Sequence, residues 1–285
     1  MKKIVYVLFV LFIVVYFSNC EKNYDLCHSK SQWLKDYFAE LKSGNYPNIY
    51  AISWWHEDFD NTYFKINSSK RSLKTYKELV SDDIFISSCS FVNKKLVPVS
   101  GKIYHSSFPC FSGTEDEVTS QRIEDFESLV EKEIAWANEA KNCSTNLLVE
   151  FGTEVNGVWF SWNGYYYGGG TCDEYGDPNY PDGPEIFRDS YRHIIDLCNQ
   201  QGCDNITWFF HFDVNDAPEE WWNNPIYYYP GDDYIDWIGV STYGPFQRGD
   251  DYIEPKEIIN KAYKKMQNVS TLKPYAILEF GVTEL

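Results

Sequence analysis

The chain has 285 residues, enough for one large barrel or doubly wound domain, or for two small ones. Its 44% hydrophobic and 18% aromatic content allows a sizeable core and excludes a disordered chain. The net charge of −17 repels nucleic acid and anionic lipid, so both are excluded as partners, while a neutral polymer is unaffected. The 10 tryptophans and 23 tyrosines suit a sugar-binding cleft, and they equally suit a rigid secreted scaffold.

The N-terminus has the pattern of a secretory signal peptide. Lys2 and Lys3 precede an apolar run over residues 4–17, and small or polar residues follow up to Cys20. The run is shorter than the roughly 20 residues that span a bilayer, which makes an uncleaved anchor the weaker alternative. We therefore predict a signal peptide at 1–20 and no stable membrane insertion after its cleavage.

The cysteines and glycosylation motifs agree with export through a secretory pathway. Seven cysteines follow the signal region, and in an oxidising compartment some of them should form disulfides, with one thiol left over and the pairing undecided. Four N-x-S/T sequons fit N-glycosylation in a eukaryotic secretory pathway. They begin at Asn67, Asn142, Asn205 and Asn268. We expect a protein that is secreted or held in the lumen of that pathway.

Helical and strand-like segments alternate through most of the chain, and no repeat or low-complexity linker interrupts them. Apolar periodicity predicts helices at 32–42, 72–80, 122–140, 185–202 and 255–266. Short apolar runs predict strands at 48–55, 83–91, 96–104, 146–151, 205–212, 233–243 and 274–280. Such alternation is typical of a parallel sheet covered by helices.

Both an open doubly wound sheet and a closed barrel satisfy this pattern. A nucleotide-binding doubly wound sheet usually has a glycine-rich loop after its first strand, whereas residues 56–61 here read HEDFDN. Polar residues instead follow several strands, and in a barrel these strand ends meet at the face that carries active sites. They are Glu154, Asp213, Tyr243 and Glu279. We predict an α/β fold, a (β/α)8 TIM barrel, as a single domain at 21–285.

The seven strand candidates fall one short of a full barrel. The chain stops at Leu285, six residues after Glu279, so we expect the last strand and helix to be lacking. The sequence leaves open whether it is a fragment or an open barrel, in which exposed strand edges would make activity uncertain.

Glu154 and Glu279 each follow an apolar strand, where an ionised carboxylate loses hydration. A buried salt bridge would explain either residue alone. Two such carboxylates in one cleft are what retaining glycoside hydrolysis requires, one as proton donor and the other as nucleophile.

Three segments then resemble glycoside hydrolase family 26. EFGTEVNGVWFSW (150–162) resembles that family's acid/base segment, YYPGDDYIDWIGVSTYG (228–244) its sixth-strand segment, and KPYAILEFG (273–281) its nucleophile strand. Residues 21–118 match only loosely. The resemblance implies a (β/α)8 barrel that needs no metal or other cofactor. It also implies cleavage of a β-linked polysaccharide, most often β-1,4-mannan, with retention.

Residue by residue, the resemblance makes Glu154 the proton donor and Glu279 the nucleophile. It implies that Tyr243 hydrogen-bonds Glu279 and keeps it ionised. Trp159 and Trp162 would stack on sugar, although core filling is the alternative for both. Asn156-Gly157 is interpreted as a tight turn that positions the loop.

Two positions depart from the family pattern. Thr153 stands where the family commonly has a histidine that contacts the sugar or supports the acid. Glu150 stands where it commonly has an arginine, which reverses the local charge and calls for a compensating change elsewhere; if close, Glu150 would also raise the pKa of Glu154. A catalytically impaired carbohydrate-binding pseudoenzyme is therefore the alternative to a hydrolase, and an acidic scaffold without a sugar site is the third interpretation.

The remaining polar features are weaker candidates. His56, His105, His193 and His211 show no metal-ligand spacing and are interpreted as hydrogen-bonded structural residues, although His105 lies where it could reach the cleft. GYYYGGG (164–170) is predicted to be a mobile loop over the cleft, or else a plain surface loop. DEYGDPNYPDGPE (173–185) resembles a calcium loop in composition only, so a solvated loop is expected.

Overall fold

The computed structural model describes residues 29–56, 58, 62–106, 126–247 and 250–284. The predicted signal peptide and three of the cysteines, Cys20, Cys27 and Cys110, lie outside these ranges. The five cysteines within them are free thiols, so the expected disulfides are not formed among Cys89, Cys143, Cys172, Cys198 and Cys203. A search of the described helices finds none with the length and apolarity needed to cross a bilayer.

Nine strands lie in the described residues. They are β1 (Ile49–Trp54), β2 (Phe85–Ile86), β3 (Phe91–Val92), β4 (Lys95–Leu96), β5 (Ile103–Ser106), β6 (Leu147–Glu150), β7 (Ile206–Asp213), β8 (Trp237–Tyr243) and β9 (Tyr275–Gly281). The helices are α1 (Lys30–Leu41), α2 (Lys70–Val80), α3 (Phe126–Asn142), α4 (Asp182–Gln201), α5 (Pro225–Tyr228) and α6 (Pro255–Val269). The five longer helices confirm the helices predicted from periodicity, and α4 ends, as expected, at a left-handed Gly202.

Seven strands form one parallel sheet in the order β2-β5-β1-β9-β8-β7-β6. The strands from β6 to β9 are neighbours in chain order, and β9 then pairs with β1, so this part of the chain winds inward to β1 in one direction; on the other side of β1 the short β2 lies outside β5. A doubly wound sheet would instead reverse direction at a switch point. The winding confirms the barrel prediction and excludes the doubly wound alternative.

The sheet is curled. Tyr104 on β5 and Phe209 on β7 belong to one apolar cluster on its inner side, although three strands lie between them. In a flat sheet these strands would be roughly 19 Å apart, at about 4.8 Å per strand. Within the described residues the barrel has seven strands, as expected, and it is open between β2 and β6, which are the two edges of the sheet, while β9 pairs directly with β1.

A short antiparallel hairpin, β3–β4, packs against the inner side of the sheet. The predicted strand at 96–104 is thus split between this hairpin and β5. Leu96 donates its backbone N–H to Thr207 and accepts from the indole of Trp237, at 2.9 and 3.1 Å. The larger apolar cluster lies between the sheet and its helices, where α1 packs against α2 and α6, and α3 against α4.

A buried lysine connects α1 to the segment that follows β1. The ammonium of Lys30 donates to the carbonyl oxygens of Tyr63, Phe64 and Lys65 at 2.7, 3.0 and 2.9 Å, and lies 3.1 Å from the hydroxyl of Ser68. Its side chain is fully buried. Charge-assisted hydrogen bonds of this kind fix the loop to α1.

Replacing Lys30 with methionine should lower the free energy of unfolding by about 3 kcal/mol, because buried carbonyl groups lose their donor. The measurement is urea unfolding of the full chain. Lys35→Met is the matched control, since Lys35 is exposed on the same helix and should change stability by no more than about 0.5 kcal/mol. Equal effects of the two substitutions would contradict the assignment.

Candidate active site

Polar side chains form a layer above the inner apolar cluster, toward the carboxyl ends of β6 to β9. Phe209, His211 and Asp213 alternate along β7, so they share one face of the strand. Phe209 belongs to the inner cluster, which places His211 and Asp213 on the inner side as well. In barrels this end of the strands is where reactive side chains converge.

An irregularity in β9 sets the direction of Glu279. Val240 pairs with Ile277 and the next residue, Ser241, pairs with Glu279, so β9 carries one extra residue at this point. Such bulges re-aim a side chain and recur beside active sites. The Tyr243 hydroxyl donates to Oε2 of Glu279 at 2.6 Å, which is the hydrogen bond that the family resemblance implies.

Glu154 lies in a turn beyond β6 and not on the strand itself. The strand ends at Glu150, and Glu154 has a left-handed backbone with φ of 45°. This conformation is costly for a residue with a Cβ, and strained residues of this kind recur at active sites. The indole N–H of Trp159 donates to Oε2 of Glu154 at 2.7 Å, which leaves Oε1 for another partner.

Asn156 fastens this turn to β7. Its buried side chain accepts from the N–H of Asp213 and donates to the carbonyl of the same residue, at 2.7 and 2.9 Å. It also donates to the carbonyl of Asn215 and the carboxylate of Asp216. Gly157 donates its N–H to the Glu154 carbonyl at 2.8 Å, which confirms the predicted tight turn.

The two predicted catalytic carboxylates converge. One oxygen of Glu154, one oxygen of Glu279 and one ring nitrogen of His211 all lie within 4.8 Å of one another. Burial raises the pKa of Glu279 to about 7; positive His211 and the Tyr243 hydrogen bond act against this rise, and the charge of Glu154 adds to it. Glu279 therefore changes its charge near neutral pH.

His211, interpreted from sequence as a structural histidine, lies within 4.8 Å of one oxygen of each carboxylate. Its Nδ1 is 2.8 Å from Oε2 of Glu150 and 2.9 Å from the Thr153 hydroxyl, and its Nε2 is 2.8 Å from the Ser241 hydroxyl. Burial disfavours its charge, but the adjacent Glu150, with Glu279 and Glu154, raises the pKa of His211 to about 9. Both ring nitrogens are occupied within the protein, which argues against a metal ligand here.

Asp213 is a further carboxyl group in the same layer. Burial and the charge of Glu154 raise its pKa to about 7, while the N–H of Asn215 and the charges of Lys265 and His211 act in the opposite direction. Asp213 stood among the polar strand ends in the sequence, but nothing there indicated its proximity to Glu154.

The two tryptophans predicted to bind sugar occupy different environments. Trp159 is 53% exposed and leaves a ring face open beside Glu154. Trp162 is half-buried, stacks on Phe160 with ring centroids 4.4 Å apart, and donates its indole N–H to the carbonyl of Thr153 at 2.8 Å. The geometry gives Trp159 the more open surface, whereas Trp162 supports the turn that carries Glu154.

The two loops singled out in the sequence differ in their exposure. GYYYGGG includes a short 3₁₀ helix, Gly164–Tyr167, whose three tyrosines are exposed; its mobility stays a prediction. The acidic loop is solvated as expected over residues 173–180, which are all exposed, whereas residues 182–185 are buried and form the start of α4. Asp182 and Glu185 are buried and accept from the N–H groups of Glu174 and Asp177, so these carboxylates hold the loop to α4.

Comparison with known protein families decides the membership of the chain. The family model "Glycosyl hydrolase family 26" matches residues 112–274, which is more than half of the chain. The chain belongs to this family. The resemblance that the three sequence segments indicated is thereby confirmed, and the matched range includes Glu154 and Tyr243, while Glu279 lies five residues beyond its end.

Individual relatives of this family 26 member are distant. Endoglucanase H of Acetivibrio thermocellus is 26% identical over 137 residues, which are 46% of this chain and 13% of that protein. A β-mannanase from a symbiotic protist of the termite Reticulitermes speratus is 13% identical, with a TM-score of 0.40, over 89% of this chain and 84% of its own. A family 26 β-mannanase from Bacteroides ovatus is 17% identical, with a TM-score of 0.40, over 87% and 76%.

Proposed function

We propose that this chain is a retaining glycoside hydrolase that cleaves a β-linked polysaccharide, with β-1,4-mannan as the first candidate. The observation that carries the proposal is the approach of Glu154 and Glu279 to within 4.8 Å, each oriented by its own hydrogen-bond donor. A retaining pair requires carboxyl groups about 5–5.5 Å apart, whereas an inverting pair leaves room for a water molecule between them.

The reaction follows from this geometry in two steps. Glu154 protonates the glycosidic oxygen while a Glu279 oxygen attacks the anomeric carbon, so the glycosidic bond breaks and a glycosyl ester forms. Glu154, now ionised, then takes a proton from water, and that water attacks the same carbon and releases Glu279. Both displacements invert the centre, so the configuration is retained overall.

The sugar-binding roles are part of this proposal. Trp159 offers an exposed ring for stacking on a sugar while its N–H holds Glu154. Thr153 lies in the turn beside Glu154 and shares its hydroxyl with His211, Trp162 backs that turn, and Tyr243 holds Glu279. No cofactor takes part in either step.

The test is release of reducing ends from mannan, β-1,3-xylan and mixed-linkage glucan. The last substrate is included because one relative bears the name endoglucanase. We expect release from mannan first, and its loss in Glu154→Ala and Glu279→Ala but not in Glu219→Ala, an exposed control. Binding of a glycan without release by the wild type would favour the pseudoenzyme, and no binding would favour the scaffold.

Tyr243→Phe should lower kcat about tenfold and move the pH profile of kcat/KM to higher pH. The Tyr243 hydroxyl stabilises ionised Glu279, so its loss raises the pKa of that carboxyl group further, and the acid limb of the profile, which the ionisation of Glu279 sets near pH 7, shifts upward. Tyr37→Phe is the matched control, because Tyr37 is also buried and bonds Thr242, the residue next to Tyr243. A profile that stays in place would contradict the role given to Tyr243.

We also propose that the protein is secreted and glycosylated, with three of its four sequons in use. Asn67, Asn142 and Asn268 are exposed, whereas the side-chain nitrogen of Asn205 is buried and donates to the carbonyl of Ala140 at 2.8 Å. After expression in a eukaryotic secretory host, enzymatic deglycosylation should remove no more than three glycans. A glycan found on Asn205 of folded protein would contradict this assignment.

A further inference from the structure

A buried histidine lies beneath the two carboxylates of the proposed reaction. The ring of His211 is 1% exposed and approaches oxygens of both Glu154 and Glu279 within 4.8 Å. Three side chains fix it in this position: Glu150 and Thr153 at one ring nitrogen and Ser241 at the other. In this fixed orientation the ring is close to both reacting carboxyl groups.

The two departures from the family pattern meet at this ring. Glu150 and Thr153, which occupy the positions where the family resemblance implies arginine and histidine, both contact Nδ1 of His211, at 2.8 and 2.9 Å. The cationic side chain has thus moved from the last residue of β6 to the neighbouring strand β7. This arrangement is the compensating change that Glu150 required.

His211 is a positively charged group among several acidic side chains. Four carboxyl groups surround it, Glu150 on β6, Glu154 in the turn, Asp213 on β7 and Glu279 on β9, with the Tyr243 hydroxyl on β8. Burial and neighbouring negative charge raise the pKa of Glu279 and of Asp213; His211 opposes both shifts, and Lys265 also opposes the one at Asp213. A neutral Glu279 could not attack a sugar.

We propose that His211, held as a cation by Glu150, is a positioning residue that keeps Glu279 ionised for nucleophilic attack. The inference rests on the proposed hydrolase function but concerns residues to which the family pattern gives no such role. Glu150 then stabilises the charge of His211, and its presence in place of arginine does not imply a loss of catalysis. The pKa of His211, raised to about 9, and the lowering effect of His211 on the pKa of Glu279 agree with this arrangement.

The first test measures Glu279 directly and needs no activity. ¹³C-carboxyl NMR of glutamate-labelled full chain, with the Glu279 signal assigned through Glu279→Gln, gives its titration midpoint. In His211→Gln, which retains hydrogen-bonding groups without the charge, the midpoint should rise by about 1–2 pH units. His193→Gln removes an exposed histidine and should leave it unchanged. An unchanged or lowered midpoint in His211→Gln would overturn the proposal.

The second test uses Glu150→Gln, which keeps an acceptor for Nδ1 and removes only the charge. ¹⁵N NMR of histidine-labelled protein should show the wild-type His211 ring doubly protonated at pH 7.5. In Glu150→Gln the midpoint of that ring should fall by about 1–3 pH units. A ring that is singly protonated at pH 7.5 in the wild type, or one indifferent to Glu150, would overturn the proposal.

Kinetics separate this inference from the function on which it rests. The acid limb of kcat/KM on mannan should move upward in His211→Gln together with the Glu279 midpoint, whereas a merely structural loss would lower the rate at every pH without moving the limb. If wild-type protein releases no reducing ends from any of the three glycans, the proposed function fails. The two titrations still decide whether the ion pair controls the charge of Glu279.

Discussion

Replacing Glu279 with alanine should lower kcat on mannan by about 10⁴–10⁶-fold, the range seen when a nucleophile is removed from an enzyme. Without its oxygen no glycosyl ester can form, and the remaining groups stabilise the transition state only in part. The position of Glu279 depends on the extra residue in β9 and on the Tyr243 hydroxyl, so no neighbouring carboxylate can take its place.

The activity that Glu279→Ala loses can be restored by an added nucleophile, and this rescue is a specific control. Azide fits the space left by the Glu279 side chain and attacks the anomeric carbon from the face that Glu279 occupied. With 2,4-dinitrophenyl β-mannobioside as substrate, Glu279→Ala plus azide should give the α-glycosyl azide. The exposed Glu219→Ala should keep wild-type activity and give none. Residual activity of Glu279→Ala above about 1% of wild type would contradict the assignment.

Replacing Glu154 with alanine should lower kcat on mannan by about 10²–10⁴-fold, the usual contribution of a positioned general acid. The loss should depend on the leaving group, because a sugar alcohol needs a proton to depart while dinitrophenolate does not. The first step with 2,4-dinitrophenyl β-mannobioside should therefore remain fast, and the glycosyl ester should accumulate, since no general base activates water.

Azide again distinguishes the roles. Since azide needs no general base, it should accelerate Glu154→Ala and yield the β-glycosyl azide, the opposite anomer to that from Glu279→Ala. Trp159→Phe is a companion variant that keeps Glu154 but removes the indole donor to Oε2 at 2.7 Å, and it should retain most of the first-step rate. Equal losses of Glu154→Ala on both substrates would contradict its role as proton donor.

Sequence alone was sufficient for the parts of the fold that follow from periodicity. The helices α1 to α4 and α6 and the strands β6 to β9 each have a strong apolar pattern, and their alternation implies a parallel sheet. In the described part of the chain, the opening between β2 and β6 was not predictable, because it depends on which strand edges pair. Periodicity also could not divide residues 96–104 between a hairpin and β5.

The candidate site was predictable only where its residues lie in a recognisable motif. Glu154, Tyr243 and Glu279 stand in such motifs, and the structure brings Glu154 and Glu279 together. His211 was missed because a single histidine in an apolar strand is usually structural. Two features of the sequence could have indicated its role. His211 lies two residues before Asp213, on the same face of β7, and the neighbouring strand carries Glu150, whose charge had no explanation.

The configuration of the first product tests the central claim most directly. ¹H NMR of wild-type protein acting on a β-linked manno-oligosaccharide, recorded before mutarotation, reports which anomer is released. Two carboxylates whose oxygens lie within 4.8 Å, acting as nucleophile and proton donor, predict that the β-anomer appears first. Initial release of the α-anomer would require a water molecule between Glu154 and Glu279 and would contradict the account.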